Sequence, residues 1–503
     1  MKKIYIAMML IITLLLPACT SDEQNKEKEV IRIWIGDKPE TAWTREYPVV
    51  NKLEEKLNIN FEFITFPVSD LSQKYNLLMA SGELPDLIVA NMNDIKKYAR
   101  QGAFEPLDEW LETAPNLERA LKSDAVVKKT VTNDDGKIYA FPFITESSVS
   151  HVFMIREDWL KKLNLPVPVT LDDWYNTLKA FKENDPNENG LADEIPFSIR
   201  VPSKTDTTAN LTPFMAAFGI DIQTFVEDGQ VKFGAADPRM KDALTYINKL
   251  YSEKLLDNEY ITTDVNMWNS KFERELSGAS MDWITRMEQF ENSIKPVNPD
   301  VKFIAVAPPI GPTGIQMQRK HQARVRGEAG AMSLKSKSKE AIIKLYDYIY
   351  SEEGSRLMNW GIEGVHYNVE NGKMKFTDLI MKDKEGKSPQ IAMFSYGIAR
   401  DWPRYTDAES ENAIATEAVL EGRKMYEEFI GPLYPVLTFT KEEGDVDTSK
   451  GIEIRIYTID MINKFIMGVE PISNFDKFVA HLYEIGLSDY LKIQQSAYNR
   501  YIK

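Results

Sequence analysis

The chain of 503 residues contains a single cysteine, Cys19, so no internal disulfide can form. Histidine is almost as scarce: His151, His321, His366 and His481 are dispersed and show no zinc-ligand spacing. Positive charge is in deficit. Against 76 Asp and Glu stand 61 Lys and Arg, a net charge of −15. There is no basic footprint for nucleic acid, which is therefore excluded as a partner. An acidic body favours solubility and neutral or cation-associated ligands, although a local basic pocket can still hold an anion. After residue 16 no run is apolar enough to cross a bilayer, which takes about 20 residues. The chain also lacks a P-loop, a Gly-x-Ser-x-Gly elbow, a Gly-x-Gly-x-x-Gly turn and any short-period repeat. Those absences remove several enzyme classes and the solenoid folds. Acidic pairs remain abundant, so a glycosidase working with two carboxylates stays open at this level.

What is present begins at the N-terminus. Lys2 and Lys3 precede the apolar run Ile4 to Leu16, which ends in Leu14-Leu15-Leu16-Pro17-Ala18-Cys19. A charged start, a short apolar core and a small residue before the break have the layout of a secretory signal. The lone cysteine directly after that core resembles a bacterial lipobox. The resemblance implies cleavage before Cys19 and a diacylglycerol on its sulfur, two acyl chains being enough for durable anchoring. An ordinary signal peptide with an incidental cysteine is the alternative. Residues 1–18 would then be the signal peptide and 19–29, polar and charged, a tether unable to bury a core. Loss of Lys2 and Lys3 would take the mature chain to about −17.

The body opens with Val30 to Ile35, a β-branched strand broken at Gly36. A helix is predicted over Pro48 to Leu57, a strand through Ile59, Phe61 and Phe63, a helix capped by Ser69 or Asp70 and ending near Gly82, and a buried strand at Leu87 to Ala90. This β–α–β repetition implies parallel strands. Further on, Thr170-Leu-Asp-Asp173 reads as a capping box and Pro238 to Glu253 as a helix with Leu244, Ile247, Leu250 and Tyr251 on one stripe. Strands are expected at Ala279–Ile284, Val301–Ala307 and Gly327–Leu334, and a helix at Ser338–Tyr350. Trp110, Trp159 and Trp174 fall in amphipathic patterns and read as structural.

Several of these stretches resemble, in order, the extracellular solute-binding proteins of ABC importers. Ser81-Gly-Glu-Leu-Pro-Asp86-Leu-Ile is similar to their Gly-x-x-Pro-Asp-(Leu/Ile)-Ile motif, and the strand at Val30 with its loop resembles the first strand of maltose-binding protein. Gly136-Lys-Ile-Tyr-Ala-Phe-Pro142-Phe resembles the Gly-x-x-Tyr-(Ala/Gly)-x-Pro strand, and Ile155-Arg-Glu-Asp-Trp-Leu the strand and helix after the first crossing between domains. Gly361-Ile-Glu-Gly-Val-His366-Tyr and the tail from Leu491 to Tyr501 resemble the large lipoprotein branch that includes alginate- and rhamnogalacturonan-type sugar binders. The resemblance implies an α/β fold of two lobes about a hinge and a cleft. Lobe 1 is expected over 30–150 and 326–362, lobe 2 over 151–325 and 363–503, the latter closed by C-terminal helices. It further implies a monomeric receptor, not an enzyme, that hands an oligosaccharide to ABC permease subunits.

One loop carries a chemical motif of its own: Asp185-Pro-Asn187-Glu-Asn189-Gly190-Leu191-Ala-Asp193-Glu194. Oxygen-bearing side chains at alternate positions can curl around one hard cation, and the pattern follows the first nine positions of an EF-hand. It departs at the twelfth, Pro196. A solvated Asx-rich turn is the alternative. The resemblance to alginate-binding relatives assigns Asp185, Asn187, Asn189, Asp193 and Glu194 as ligands of a structural Ca²⁺.

Sugars present apolar C–H faces rimmed by hydroxyls, so a cleft for them needs aromatic faces and a few polar groups. The candidates at predicted strand ends and loops are Asp37, Trp43, Trp283, Tyr396 and Trp402; the resemblance places Trp283 near a sugar-stacking position. Arg324 and Arg326 are close enough in sequence to meet a uronate carboxylate, or equally to form a solvated surface pair. A sugar sensor or adhesin without transport is the remaining alternative.

Overall fold

The structure, a computed structural model, describes residues 28–503 apart from 38–41, 123, 147, 202–209 and 320–322. Cys19, the expected signal peptide and most of the expected tether lie outside the described residues. Fourteen strands occur in the described chain: β1 (Glu29–Asp37), β2 (Ile59–Pro67), β3 (Leu87–Asn91), β4 (Ala140–Thr145), β5 (His151–Arg156), β6 (Ile195–Phe197), β7 (Thr224–Glu227), β8 (Gln230–Phe233), β9 (Ser277–Trp283), β10 (Phe303–Val306), β11 (Val325–Met332), β12 (Tyr367–Glu370), β13 (Lys373–Phe376) and β14 (Tyr405–Thr406). They make two main sheets, in the orders β14-β4-β11-β3-β1-β2 and β10-β5-β9-β6, and two hairpins, β7-β8 and β12-β13.

The first sheet grows from its sequence pattern. β1 buries Ile31, Ile33, Trp34 and Ile35 and pairs in parallel with β2 and β3, as the β–α–β repetition requires. Strands buried on both faces read as nearly continuous apolar runs, and β4, Ala-Phe-Pro-Phe-Ile-Thr, is buried throughout. β11 then enters antiparallel between β3 and β4, bringing the chain back to the first sheet. Gly330 lets the helix Lys339–Ile349 lie close: a Cβ there would sit 2.6 Å from the Tyr346 hydroxyl. Beside it the Phe141 and Tyr346 rings stack at 3.8 Å.

The second sheet packs in the same way against the helix Leu171–Glu183. Thr170 Oγ1 accepts from Asp173 N at 3.1 Å while Asp173 Oδ2 accepts from Thr170 N at 2.9 Å, the reciprocal capping box read from the sequence. Trp159 and Trp174 are fully buried and Trp110 packs against the first core. Leu244, Ile247 and Leu250 face the second core, with Tyr251 at its margin. The expected cap at Ser69 or Asp70 is absent. A 3₁₀ turn, Val68–Asp70, leads into the helix Leu71–Ser81, and Ser69 bonds Asp70 instead of the helix backbone.

The chain leaves the first sheet after β4 to enter the second at β5, and returns to the first at β11. A third passage differs from the sequence expectation, which gave 363–503 wholly to lobe 2. Tyr367, Phe376, Ile380, Met393, Ile398 and Trp402 are members of the first core, and β14 adds an edge strand to the first sheet by pairing with β4. The chain joins the second body only from about Val419, which packs with Tyr426 and Phe303, and completes it with the helices Ile452–Ile466, Phe475–Glu484 and Leu487–Ile502. The physical reason is that the apolar residues of 367–402 are complementary to the first sheet's helices, while the strand that fixes them there is only two residues long.

Candidate ligand cleft and metal loop

On the first lobe β1 ends at Asp37, whose Oδ1 accepts from Trp43 N at 2.6 Å. The Trp43 ring stacks on Phe63 with centroids 5.4 Å apart, meets Trp402 edge-on at 5.5 Å and carries the Arg400 guanidinium at 4.4 Å. Trp402 also stands edge-on to Phe61 and Phe63. The fold thus brings Asp37, Trp43 and Trp402 together from opposite ends of the lobe's sequence. It also buries both indoles, Trp43 at 6% and Trp402 at 1% exposure, so their faces are engaged mainly by other aromatic rings. Tyr396 lies beside this cluster at the end of the helix Pro389–Ser395, half-buried, with its ring 5.0 Å from His366. Burial pushes the His366 imidazole down to about 4, and its Nδ1 accepts from Ile362 N at 2.9 Å; this histidine is a neutral structural group.

Trp283 closes β9 on the second lobe and is half-buried, its ring 4.6 Å from that of His151, the residue it faces across the sheet. Its neighbour Asp282 is fully buried. Burial opposes its ionisation, yet Arg200, His151 and Arg286 hold the carboxyl below its ordinary value. Arg200 Nε lies 2.8 Å and Arg286 Nε 3.8 Å from that carboxylate, and the two guanidiniums flank the Trp268 ring at 5.7 and 5.6 Å. Sequence reasoning missed this network; its signal is the buried Asp next to a strand-end Trp. The lobes approach at a recess where Thr285 and Glu288 of the second face Ser388, Ile391 and Glu411. Burial, reinforced by Glu291, pushes Glu288 up to about 7.

The oxygen-rich loop folds inward on itself. Gly190, at φ +77°, makes the turn; Asp185 Oδ1 and Oδ2 accept from Asn189 N and Gly190 N at 3.1 and 3.0 Å. Asn187 Oδ1 accepts from Asn189 N at 3.1 Å, and Asn189 Nδ2 donates to Asp193 Oδ1 at 3.0 Å. Glu194 is the telling member. It is 1% exposed, and neither carboxylate oxygen has a hydrogen-bond partner. Burial raises its pKa, with Asp185 and Asp193 adding to the effect. Lys182 offsets this in part but spends its ammonium on the Glu194 carbonyl, 2.9 Å away, so the buried carboxylate, close to two further acids, is left without a donor of its own. The donor set is all oxygen, which suits a hard divalent cation. Among the described residues no three His, Cys, Asp or Glu side chains form a metal-ligating group, and here the acids alternate with Asn amides.

Two α/β lobes, each built on its own sheet and joined by three passages of the chain, are the architecture of a two-lobed binding protein. The family model for bacterial extracellular solute-binding proteins matches residues 39–356, and the chain belongs to that family. It is 27% identical to the fructooligosaccharide ABC transporter substrate-binding protein FusA of Streptococcus pneumoniae, over 95% of this chain and 91% of that one. It is equally 27% identical to lipoprotein LipO of Bacillus subtilis, over 92% and 90%. Among solved structures, the alginate-binding protein AlgQ2 without calcium ion superposes with a TM-score of 0.83 at 26% identity, covering 94% of this chain and 98% of that one. FusA with kestose gives 0.76 at 25% identity over 94% and 99%, and an EF-hand mutant of FusA is similar to the same degree. The chain is accordingly an ABC-importer-type solute receptor of the extracytoplasmic space and not an enzyme. Among the described residues no helix is long and apolar enough to cross a membrane.

Proposed function

We propose that this receptor captures an oligosaccharide between its lobes, is held to the outer face of the cytoplasmic membrane by lipid on Cys19, and delivers the sugar to ABC permease subunits when the hinge closes. The observation that carries the oligosaccharide reading is Trp283, a half-buried indole at a strand end, braced by His151 on one side, with Thr285 and Glu288 just after it lining a recess against Ser388, Ile391 and Glu411. An aromatic face held rigidly at such a place suits the apolar side of a sugar ring. Asp37, Trp43, Tyr396 and Trp402 form the opposing wall in this reading, with Trp43 and Trp402 as its buried floor. Lobe 1 is then 30–150 and about 326–406, lobe 2 151–325 and about 417–503. A ligand that contacts both lobes favours the closed state and shifts the population toward it. The names of FusA and AlgQ2 support a glycan as the solute.

The same reading gives the loop a structural Ca²⁺ held by Asp185, Asn187, Asn189, Asp193 and Glu194. It would neutralise the Glu194 carboxylate and pin the end of the helix Leu171–Glu183 to β6, and it takes no part in binding the sugar. Titration of Trp283→Ala with whichever glycan binds the unaltered protein tests the cleft. The expected result is a loss of affinity of about tenfold or more, equivalent to ~1.4 kcal/mol, with an unchanged unfolding midpoint. Unaltered affinity would remove Trp283 from the site.

A further inference from the structure

Apart from the passages of the chain, the lobes are tied through a strap. Residues 430–440 run without helix or sheet strand between the 3₁₀ turn Glu427–Phe429 and the helix Lys441–Val446. The second lobe holds this stretch at three points. Gly431 N donates to the Gln318 carbonyl at 2.9 Å, the Tyr434 hydroxyl to Gln494 Oε1 at 2.8 Å, and Arg500 Nη2 to the Thr438 carbonyl at 3.1 Å. The first lobe holds it as well. Val436 packs against the first core and Leu437 is buried. Arg100 Nη1 donates to the Phe439 carbonyl at 3.2 Å, and Lys96 Nζ to Thr438 Oγ1 at 2.7 Å.

Lys96 is the unusual member. It lies on the helix Met92–Ala99, which packs on the first core through Met92, Ile95 and Ala99, and it is 4% exposed. Its amine meets two acceptors, both neutral: Thr438 Oγ1 and the Thr132 carbonyl, 3.1 Å away. Thr438 sends its own hydroxyl hydrogen to that carbonyl, also at 3.1 Å. Two N–H donors suit an uncharged amine; the third hydrogen of an ammonium has no acceptor among the described residues. Nor does any carboxylate among them lie within ion-pair distance. Arg100, on the same helix, opposes the charge, and Asp134, on the turn after the helix Ala125–Val131, favours it. The other charges nearby are engaged elsewhere or exposed. Asp94 acts on Tyr75 and Tyr98, Lys97 lies over the Tyr98 ring at 5.2 Å, and Lys129 donates to the Tyr501 carbonyl. Arg500 pairs with Glu443, while Lys128, Glu328 and Lys441 are exposed. Burial, with Arg100 second, pushes the Lys96 amine down to about 7.

We propose that Lys96 is a proton-operated latch between the lobes: uncharged, it holds the strap on the first lobe, and on taking up a proton it lets the strap go, so that the lobes are tied more loosely. This concerns the regulation of the hinged receptor described above and rests on that reading. The sign follows from proton balance. Held, the amine titrates near 7; released, it titrates in the ordinary lysine range. Between those values the released form binds more protons, so the hold tightens as pH rises above about 7 and reaches its limit in the lysine range. Hydrogen exchange of the full chain without glycan, read by mass spectrometry over residues 430–446 and corrected for the intrinsic pH dependence of exchange, tests it. Protection of the wild-type strap is expected to rise by up to about tenfold per pH unit between about pH 7.5 and 9. Lys96→Met should be better protected than the wild type at the lower pH and should lose the slope. Thr438→Val, which removes one acceptor and keeps the amine, should lower protection at every pH and keep the slope. A flat wild-type profile, a slope that persists in Lys96→Met, or wild-type protection in Thr438→Val would overturn the proposal. No glycan is present, so such a result leaves the receptor reading standing; that reading falls on glycan titration alone.

Discussion

Glu194 condenses the physics of the proposed Ca²⁺ loop into one side chain. In the absence of a cation its carboxylate is buried without a donor, and its pKa is raised by burial and by Asp185 and Asp193. An acid whose folded pKa exceeds its unfolded value holds more protons folded than unfolded in the interval between them. The sign follows: this group's contribution to stability is present below its ordinary carboxylate range and is lost as pH rises through the raised value. Chelated protein should therefore lose stability from this site as pH rises toward neutrality, and Ca²⁺ should abolish that loss. At about 100 times its dissociation constant, Ca²⁺ should add roughly 2.7 kcal/mol, visible as a higher unfolding midpoint. Glu194→Gln should melt no lower than wild type in chelator and gain much less from Ca²⁺. Equal Ca²⁺ stabilisation of the two proteins would remove Glu194 from the ligand set. The alternation of Asp and Asn marks this loop in sequence as a tight, oxygen-rich curl, because its members are close in the chain, and that curl is what the structure shows. The Arg200–Asp282–Arg286 network was not legible, since its members are brought together only by β9 and its surrounding helices.

Among the elements, those that were read well are those whose pattern is local. The helix Pro48–Leu57 starts on its proline, the helix Leu171–Glu183 on its capping box, and β1 and β3 show themselves as apolar runs. β14 could not be read: two residues carry no period, and the pairing with β4 comes from tertiary context. That pairing, with the burial of Tyr367, Phe376, Ile380, Met393, Ile398 and Trp402 in the first core, puts residues 363–406 on the first lobe and not, as expected, on the second. The aromatic cluster of Trp43, Phe63 and Trp402 is a similar case, because an indole in a loop looks the same in sequence whether it faces a ligand or a neighbouring ring. Close packing of elements gives a further prediction. A Cβ on Gly278 of β9 would lie 2.5 Å from the Phe181 ring and 2.7 Å from that of Trp159. Gly278→Ala must push the helix Leu171–Glu183 off the sheet, at an expected cost of about 1–3 kcal/mol in urea unfolding. An unchanged midpoint would mean the sheet and helix are less tightly joined than the structure has them.

At the scale of the whole molecule, the chain moves between the two main sheets from β4 to β5, on its return at β11 and after β14. The C-terminal part of the chain adds non-covalent ties to the first lobe. Lys96 Nζ donates to Thr438 Oγ1 at 2.7 Å, Arg100 to the Phe439 carbonyl at 3.2 Å, and Lys129 to the Tyr501 carbonyl at 2.9 Å. A body joined by a few strands and a few polar ties can bend, and a solute touching both walls selects the bent form. The measurement that reaches this account most directly is titration of the folded chain with a panel of neutral and acidic oligosaccharides, reading the unfolding midpoint and recovering the glycan afterwards. The account predicts that one glycan class raises the midpoint, by an amount that grows with concentration, and is recovered intact. A panel without any shift, or a glycan recovered cleaved, would contradict it.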